Sequence, residues 1–214
     1  MSDQWTQPHF DRIALLTIDV QVDTLDGQPF EIPGTSAALP RIAELCDAFR
    51  SRARPLVHVM RVYRSNGSNA ELCRRGPLQA GEQFFLAGQP GRLIAPELLP
   101  AGAAEPDDDN LLAGRLQPLG PAEWYSYKPR WGAFYGSGLE AHLQGLGVDT
   151  VVIAGCNYPN CVRATVYEAS ARDFRVVAIT DGISNFTEHG WAELGSIGIN
   201  ILSTADVIAG LDTV

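Results

Sequence analysis

Residues 149–172, DTVVIAGCNYPNCVRATVYEASAR, decide the fold. Val151, Val152, Ile153 and Ala154 form a short apolar run rich in β-branched side chains, the pattern of a strand buried on both faces. Gly155 ends the run. After a brief turn, Cys161 opens a segment in which Val162, Thr165, Val166 and Ala169 recur at helical spacing. The chain therefore passes from strand to helix at Cys161. The first turn of a helix has unpaired N–H groups and a positive partial charge. Such a field favours thiolate over thiol, and the same N–H groups can hold an oxyanion as it forms. This stretch suits a nucleophile.

Upstream, IALLTI at residues 13–18 reads as a first buried strand, with Asp19 at its end. A loop containing Gly27, Pro29, Pro33 and Gly34 leads to a helix predicted over 39–53, where Leu39, Ile42, Ala43, Cys46 and Phe49 share a face. PLVHVMRV at 55–62 is a second strand, and His58 in its interior reads as a satisfied core histidine rather than a ligand. Residues 63–123 show no clean periodicity. Asp107, Asp108 and Asp109 fall there and read as a solvated loop in preference to a metal site. Long irregular connections in compact domains are usually binding loops, so this one is expected to carry substrate selectivity.

Downstream, WYSY at 124–127 is a third strand, KPRWGAF at 128–134 a loop and 139–146 a short helix. RVVAIT at 175–180 is a fifth strand, followed by a helix over 189–198, a short strand at 201–203, and a terminal helix capped by Thr204. Strands alternating with helices predict one α/β domain spanning 1–214: a three-layer, Rossmann-like open parallel sheet of about six strands, helices on both faces, with a long substrate-loop insertion at about 63–123.

Composition narrows the partners. Of 214 residues 45% are apolar and 19% charged, an ordinary globular balance. A net charge of −9 argues against nucleic acid and anionic membrane surfaces. No apolar stretch approaches a membrane span, and MSDQWTQPHFDR lacks the pattern of a signal peptide, so a cytoplasmic protein is expected. The four cysteines, Cys46, Cys73, Cys156 and Cys161, are then expected to be reduced, and their spacing matches no structural zinc site.

In open parallel sheets, sites lie beyond the carboxyl ends of the strands. Asp19, Lys128 and Cys161 fall at three such ends. Asp19 could take a thiol proton, and the Lys128 ammonium could stabilise the thiolate. Each residue also has a plain reading: a strand-end Asp bonds its own turn, a Lys before Pro is solvated, and a Cys at a helix start is a small buried residue. Cys156, directly after the buried strand, reads as inert. Two further readings stay open, a non-catalytic module on the same fold and a redox protein pairing Cys156 with Cys161.

These residues resemble the isochorismatase-like cysteine hydrolases. LLTIDVQVD is similar to that family's strand ending in Asp-x-Gln-x-Asp/Asn, KPRWGAF to its Lys-x-x-x-Ser-Ala-Phe segment, and GCNYPNCVRAT to its Gly-x-x-Thr-x-x-Cys-Val-x-x-Thr segment. The resemblance implies Asp19 as acid/base, Lys128 as the catalytic lysine and Cys161 as nucleophile. It also implies a cis peptide joining Cys156 to Asn157, with the Asn157 and Cys161 amides forming an oxyanion hole. The chain departs from the pattern at Gly132, where Ser is usual, and at Tyr158, where Thr is common. Nicotinamidases in the family carry a metal through histidines after strand two. VMRVYRSNGSNAE has none, so the resemblance implies no metal and no other cofactor. Members that hydrolyse a vinyl ether lack the cysteine, and that activity remains the alternative to C–N hydrolysis. The Tyr-Pro-Asn-Cys turn is similar to the streptothricin-hydrolase-like branch, which opens a lactam amide. Trp131, Tyr158 and Phe134 are candidate pocket walls. Arg61 and Tyr63 are candidates for a substrate's polar end, and Arg163 for a structural or subunit contact. The expected partner is a small-molecule substrate, and the expected assembly a homodimer or homotetramer.

Overall fold

A computed structural model describes residues 3–214. Seven strands form one sheet: β1 (Ile13–Ile18), β2 (Leu56–Met60), β3 (Gln117–Gly120), β4 (Glu123–Tyr127), β5 (Thr150–Gly155), β6 (Arg175–Ile183) and β7 (Asn200–Leu202). Their order is β3-β4-β2-β1-β5-β6-β7. Every pair is parallel except β3–β4. The chain builds outward from β1 through β2 to β4, then returns to lay β5 on the other side of β1. The sheet thus changes winding direction between β1 and β5, where a crevice opens at the carboxyl ends.

The helices are α1 (Thr35–Ser51), α2 (Leu72–Gln79), α3 (Asp108–Leu112), α4 (Leu139–Gly145), α5 (Arg163–Ser170), α6 (Glu188–Gly195) and α7 (Thr204–Leu211). Side-chain alternation along the strands divides the core. Ile13, Leu15, Val152 and Ala154 pack with Ile42, Phe49 and Val207 of α1 and α7. Ala14, Leu16, Val151 and Ile153 pack with Leu143, Val166 and Leu194 of α4, α5 and α6. Both faces are covered, so β1 and β5 read as unbroken apolar runs.

Several sequence expectations are corrected. The first helix starts at Thr35, four residues early, because Gly34 adopts φ 87° and turns the chain into it; Ala53, at φ 50°, closes it. The seventh strand, β3, is half-exposed at the sheet edge, where its Pro118 is tolerated and masks the strand pattern. Residues 63–123 are not featureless: they contain α2, α3, β3 and two 3-10 turns. The acidic triplet is structural, since Asp107 caps α3 through the Asn110 amide and Asp108 binds Arg92 Nε at 2.7 Å. Ser203, not Thr204, caps α7, in a reciprocal capping box with Asp206. His58 meets expectation: Nδ1 lies 2.9 Å from Thr17 Oγ1 and Nε2 2.9 Å from Glu123 Oε1. Among the described residues no helix is long and apolar enough to cross a membrane.

A small third cluster, Tyr63, Ala70, Leu78, Phe84 and Phe85, covers the strand ends. It is tied down by Asp23, whose carboxylate accepts the Phe85 N–H at 2.6 Å.

Candidate active site

The β1–β5 crevice is closed by a glycine. A Cβ on Gly155 would overlap the Ile18 carbonyl, and the residue's φ of 121° disfavours any side chain. Without one, Cys156 N–H reaches Ile18 O at 2.8 Å. The Cys156–Asn157 peptide is cis, as the resemblance implies. The chain then makes one wide π turn, Tyr158–Val162, closed by Val162 N–H on Asn157 O at 3.3 Å, and enters α5 at Arg163. Cys161 therefore lies inside the wide turn rather than at the first turn of a regular α-helix. Its Sγ points into a cleft of about 470 Å³ that Asn157 also lines. The Asn157 N–H donates to no acceptor among the described residues.

Asp19 leaves β1 in a left-handed conformation, φ 51°, buried at the base of the cleft. Its Oδ2 accepts from Lys128 Nζ at 2.8 Å and Arg61 Nε at 3.3 Å. Among the described residues Oδ1 has no hydrogen-bond partner. Burial alone would raise the Asp19 pKa, but Lys128, Arg61 and the Cys161 thiol together hold it below the usual carboxylate range. Lys128 is fully buried and donates to the Arg130 and Trp131 carbonyls at 3.2 and 3.0 Å. Burial and Arg61 push its pKa below the usual lysine value, with Asp19 and Cys161 opposing.

Arg61 is the larger surprise. Reserved by sequence for a substrate's polar end, it is fully buried with Nη2 3.2 Å from Cys161 Sγ. Its guanidinium also pairs with Glu71 and donates to Tyr63 OH at 3.1 Å. Gln21 fixes its backbone, accepting from Arg61 N at 2.8 Å and donating to Arg61 O at 2.8 Å. The site is thus a buried network of two cations, two carboxylates and a thiol.

The family model for the isochorismatase domain matches residues 13–206. The chain belongs to the isochorismatase family. A crystal structure of an isochorismatase family protein from Desulfovibrio vulgaris superposes with a TM-score of 0.80 at 31% identity, covering 94% of this chain and 98% of that one. N-carbamoylsarcosine amidase of an Arthrobacter species is 27% identical over 94% of this chain and 72% of its own. An Arabidopsis thaliana protein named "Probable inactive nicotinamidase" is 28% identical over 87% of this chain and 85% of its own.

As an isochorismatase-family member, the chain has side-chain arrangements around the crevice that its own packing explains. After β2 this chain carries the buried Arg61–Glu71 pair. At Gly132 the Glu168 carboxylate fills the space a Cβ would need. Glu168 Oε2 there accepts the Phe134 and Tyr135 amides at 2.8 and 3.2 Å.

Three of the candidate pocket residues fall elsewhere. Tyr158 turns from the cleft to stack on Phe186 at 4.6 Å, its hydroxyl 3.1 Å from Glu193 Oε2, in space left by Gly190. Phe134 packs against Phe174 and Arg172 in the core. Tyr63 lies behind Arg61, donating to Glu71 Oε2 at 2.6 Å. Trp131 stands beside the cleft, its ring under the Arg61 and Arg74 guanidiniums at 5.2 and 5.0 Å. Arg163 braces the turn from outside, over Tyr158 and paired with Glu193 at 3.3 Å. The outer wall comes instead from residues 28–33 and from Arg74 and Phe85. Cys156 is buried, its thiol donating to Asp19 O at 2.9 Å, and burial pushes that thiol's pKa up. None of the four cysteines is in a disulfide.

Proposed function

We propose that this protein is a cysteine-dependent hydrolase that cleaves a C–N bond of a small amide, carbamoyl compound, ureide or lactam through a thioester. The observation that carries the reading is the convergence of Cys161, Lys128 and an Asp19 carboxylate with one oxygen free, at the carboxyl ends of β5, β4 and β1. The amidase among its relatives supports the same bond type.

Asp19 Oδ1 takes the Cys161 proton while Arg61 and Lys128 balance the resulting thiolate. Sulfur attacks the carbonyl carbon, and the oxygen draws the electron pair toward the Asn157 and Cys161 amides. A well-placed donor of this kind is worth about 2.7–4 kcal/mol in the transition state. The C–N bond breaks as the protonated Asp19 gives its proton to the leaving nitrogen. Water then attacks the thioester, loses a proton to Asp19, and releases the acid. The thiolate recovers that proton or stays paired with Arg61. An Asp19 held below its usual range is a weak base, so the mechanism leans on Arg61 and Lys128 to offset the negative charge that develops as the sulfur attacks.

Screening ammonia release across small amides and carbamoyl compounds, with lactam opening in parallel, tests the reading. Turnover accompanied by a substrate-derived acyl mass on Cys161 in quenched samples supports it. Turnover without that adduct, persisting after Cys161 is alkylated, would exclude covalent catalysis.

A further inference from the structure

The cleft holds a cation that the mechanism above does not use. Arg74 rises from the first turn of α2 and lines the same cleft as Cys161. Its guanidinium carbon lies 4.7 Å from the Phe30 ring centroid, 5.0 Å from Trp131 and 6.0 Å from Phe85. One nitrogen, Nη1, donates to Tyr63 OH at 2.8 Å. No carboxylate among the described residues pairs with it. The nearby acids are committed elsewhere: Asp19 to Lys128 and Arg61, Glu71 to Arg61 and Tyr63. Glu31, also on the cleft, is exposed and accepts the Gly27 amide at 2.7 Å.

Charge counting makes the point sharper. Within the buried network Asp19 and Glu71 are matched by Lys128 and Arg61, and Glu31 forms no ion pair with Arg74. Arg74, on the open side of the cleft, is left without an ion-pair partner among the described residues. A guanidinium with its faces against aromatic rings has its in-plane N–H groups left for a partner. In-plane, paired donors match a carboxylate.

We propose that Arg74 is the receptor for a carboxylate on the substrate, which makes the substrate a small amide or carbamoyl compound bearing a free acid group. The inference rests on the reading above for the bond cleaved, but not for the recognition of the anion. Phe30 and Phe85 then flank the linker between the acid and the scissile carbonyl. The selectivity expected of residues 63–123 is in this way placed on one residue of α2.

Two measurements test it on the full-length protein. The first compares kcat/KM, by ammonia release, for succinamate against butyramide and for N-carbamoylglycine against ethylurea. The wild type prefers the acids by about 10- to 100-fold, the worth of a charge-assisted hydrogen bond, with the preference carried in KM. R74Q loses that preference, and R74K recovers part of it. The second measures protection of Cys161 from iodoacetamide, mapped by mass spectrometry, by succinate against succinamide. Succinate protects the wild type at concentrations at least about tenfold lower, and R74Q abolishes the difference. Equal treatment of acids and neutral partners by the wild type, or an acid preference that survives in R74Q, overturns the proposal. If nothing in the panel is hydrolysed, the C–N hydrolase reading fails by itself and the protection assay decides the carboxylate site. Should R74Q lose its fold by circular dichroism, wild type and R74K decide it.

Discussion

At the scale of single residues, two cysteines five positions apart have opposite fates. Cys161 Sγ opens on the cleft beside the Arg61 guanidinium, whereas Cys156 is sealed in the core with its thiol on a backbone carbonyl. Cys161→Ala is expected to lower kcat/KM by at least about a thousandfold, because the covalent route is lost while the rest of the cleft remains. Cys156→Ala is expected to retain activity and lose about 1 kcal/mol of stability, the worth of one hydrogen bond plus a little packing. Steady-state kinetics and urea denaturation of the two variants check the pair. Cys161, Lys128 and Asp19 were legible because each follows a strand, and strand ends in a parallel sheet share a rim. Arg61 was legible as a polar residue in that neighbourhood but not as a neighbour of sulfur. Its partner Glu71 lies ten residues on, in a stretch without periodicity, so nothing in the sequence joined them. Tyr158 was misread because nearness to Cys161 along the chain says nothing of direction inside a wide turn.

At the scale of elements, departures from the family pattern are compensated by neighbours. The 128–134 loop accommodates Glu168 of α5 at Gly132, where the carboxylate fills the Cβ space and accepts the amides of Phe134 and the next residue, Tyr135. Gly132→Ser is expected to cost about 1–3 kcal/mol by overpacking. In a Glu168→Ala background, where the space is empty, the same change is expected to cost markedly less. Contacting residues show such coupling, with interaction energies of about 0.5–3 kcal/mol. Chemical denaturation of the four proteins in the cycle measures it; additive losses would mean that Gly132 answers to something other than Glu168. The Asp-x-Gln-x-Asp stretch after β1 shows a related economy. Asp19 serves the cleft, Gln21 pins the Arg61 backbone, and Asp23 holds the Phe85 turn that covers it. The buried strands were readable from their apolar runs. The edge strand β3 and helix α2 were not: α2 has a single buried residue, Leu78, and β3 contains both Pro118 and Gly120. Elements that bury little leave little periodicity to read.

At the scale of the whole molecule, the buried charges make stability and activity respond to pH in different ways. Burial outweighs the Glu123 contact and holds the His58 pKa below the usual histidine value. An unfolded chain takes up that proton near pH 6.5, while the folded one resists it to lower pH. In that window the unfolded state binds more protons, so stability falls as pH drops below about 6.5, by at most about 1.4 kcal/mol per unit. His58→Gln, which has no proton to gain, is expected to flatten the slope between pH 7 and 5 in urea titrations.

Activity is set at the other end of the sheet. Asp19 is kept ionised by Lys128 and Arg61 against burial, which works the other way. On the proposed mechanism the acid limb of kcat/KM is expected below the usual carboxylate range. The alkaline limb is expected to arrive before an ordinary lysine would titrate, because burial and Arg61 weaken the Lys128 ammonium. Lys128→Met removes the charge that does most to lower Asp19 and leaves the burial that raises it. Its acid limb is expected to move to higher pH, even as its plateau falls. A pH–rate profile of the variant on any substrate it still turns over reads this directly. An unmoved acid limb would assign the limb to a group other than Asp19, and with it the proton transfer that starts the reaction.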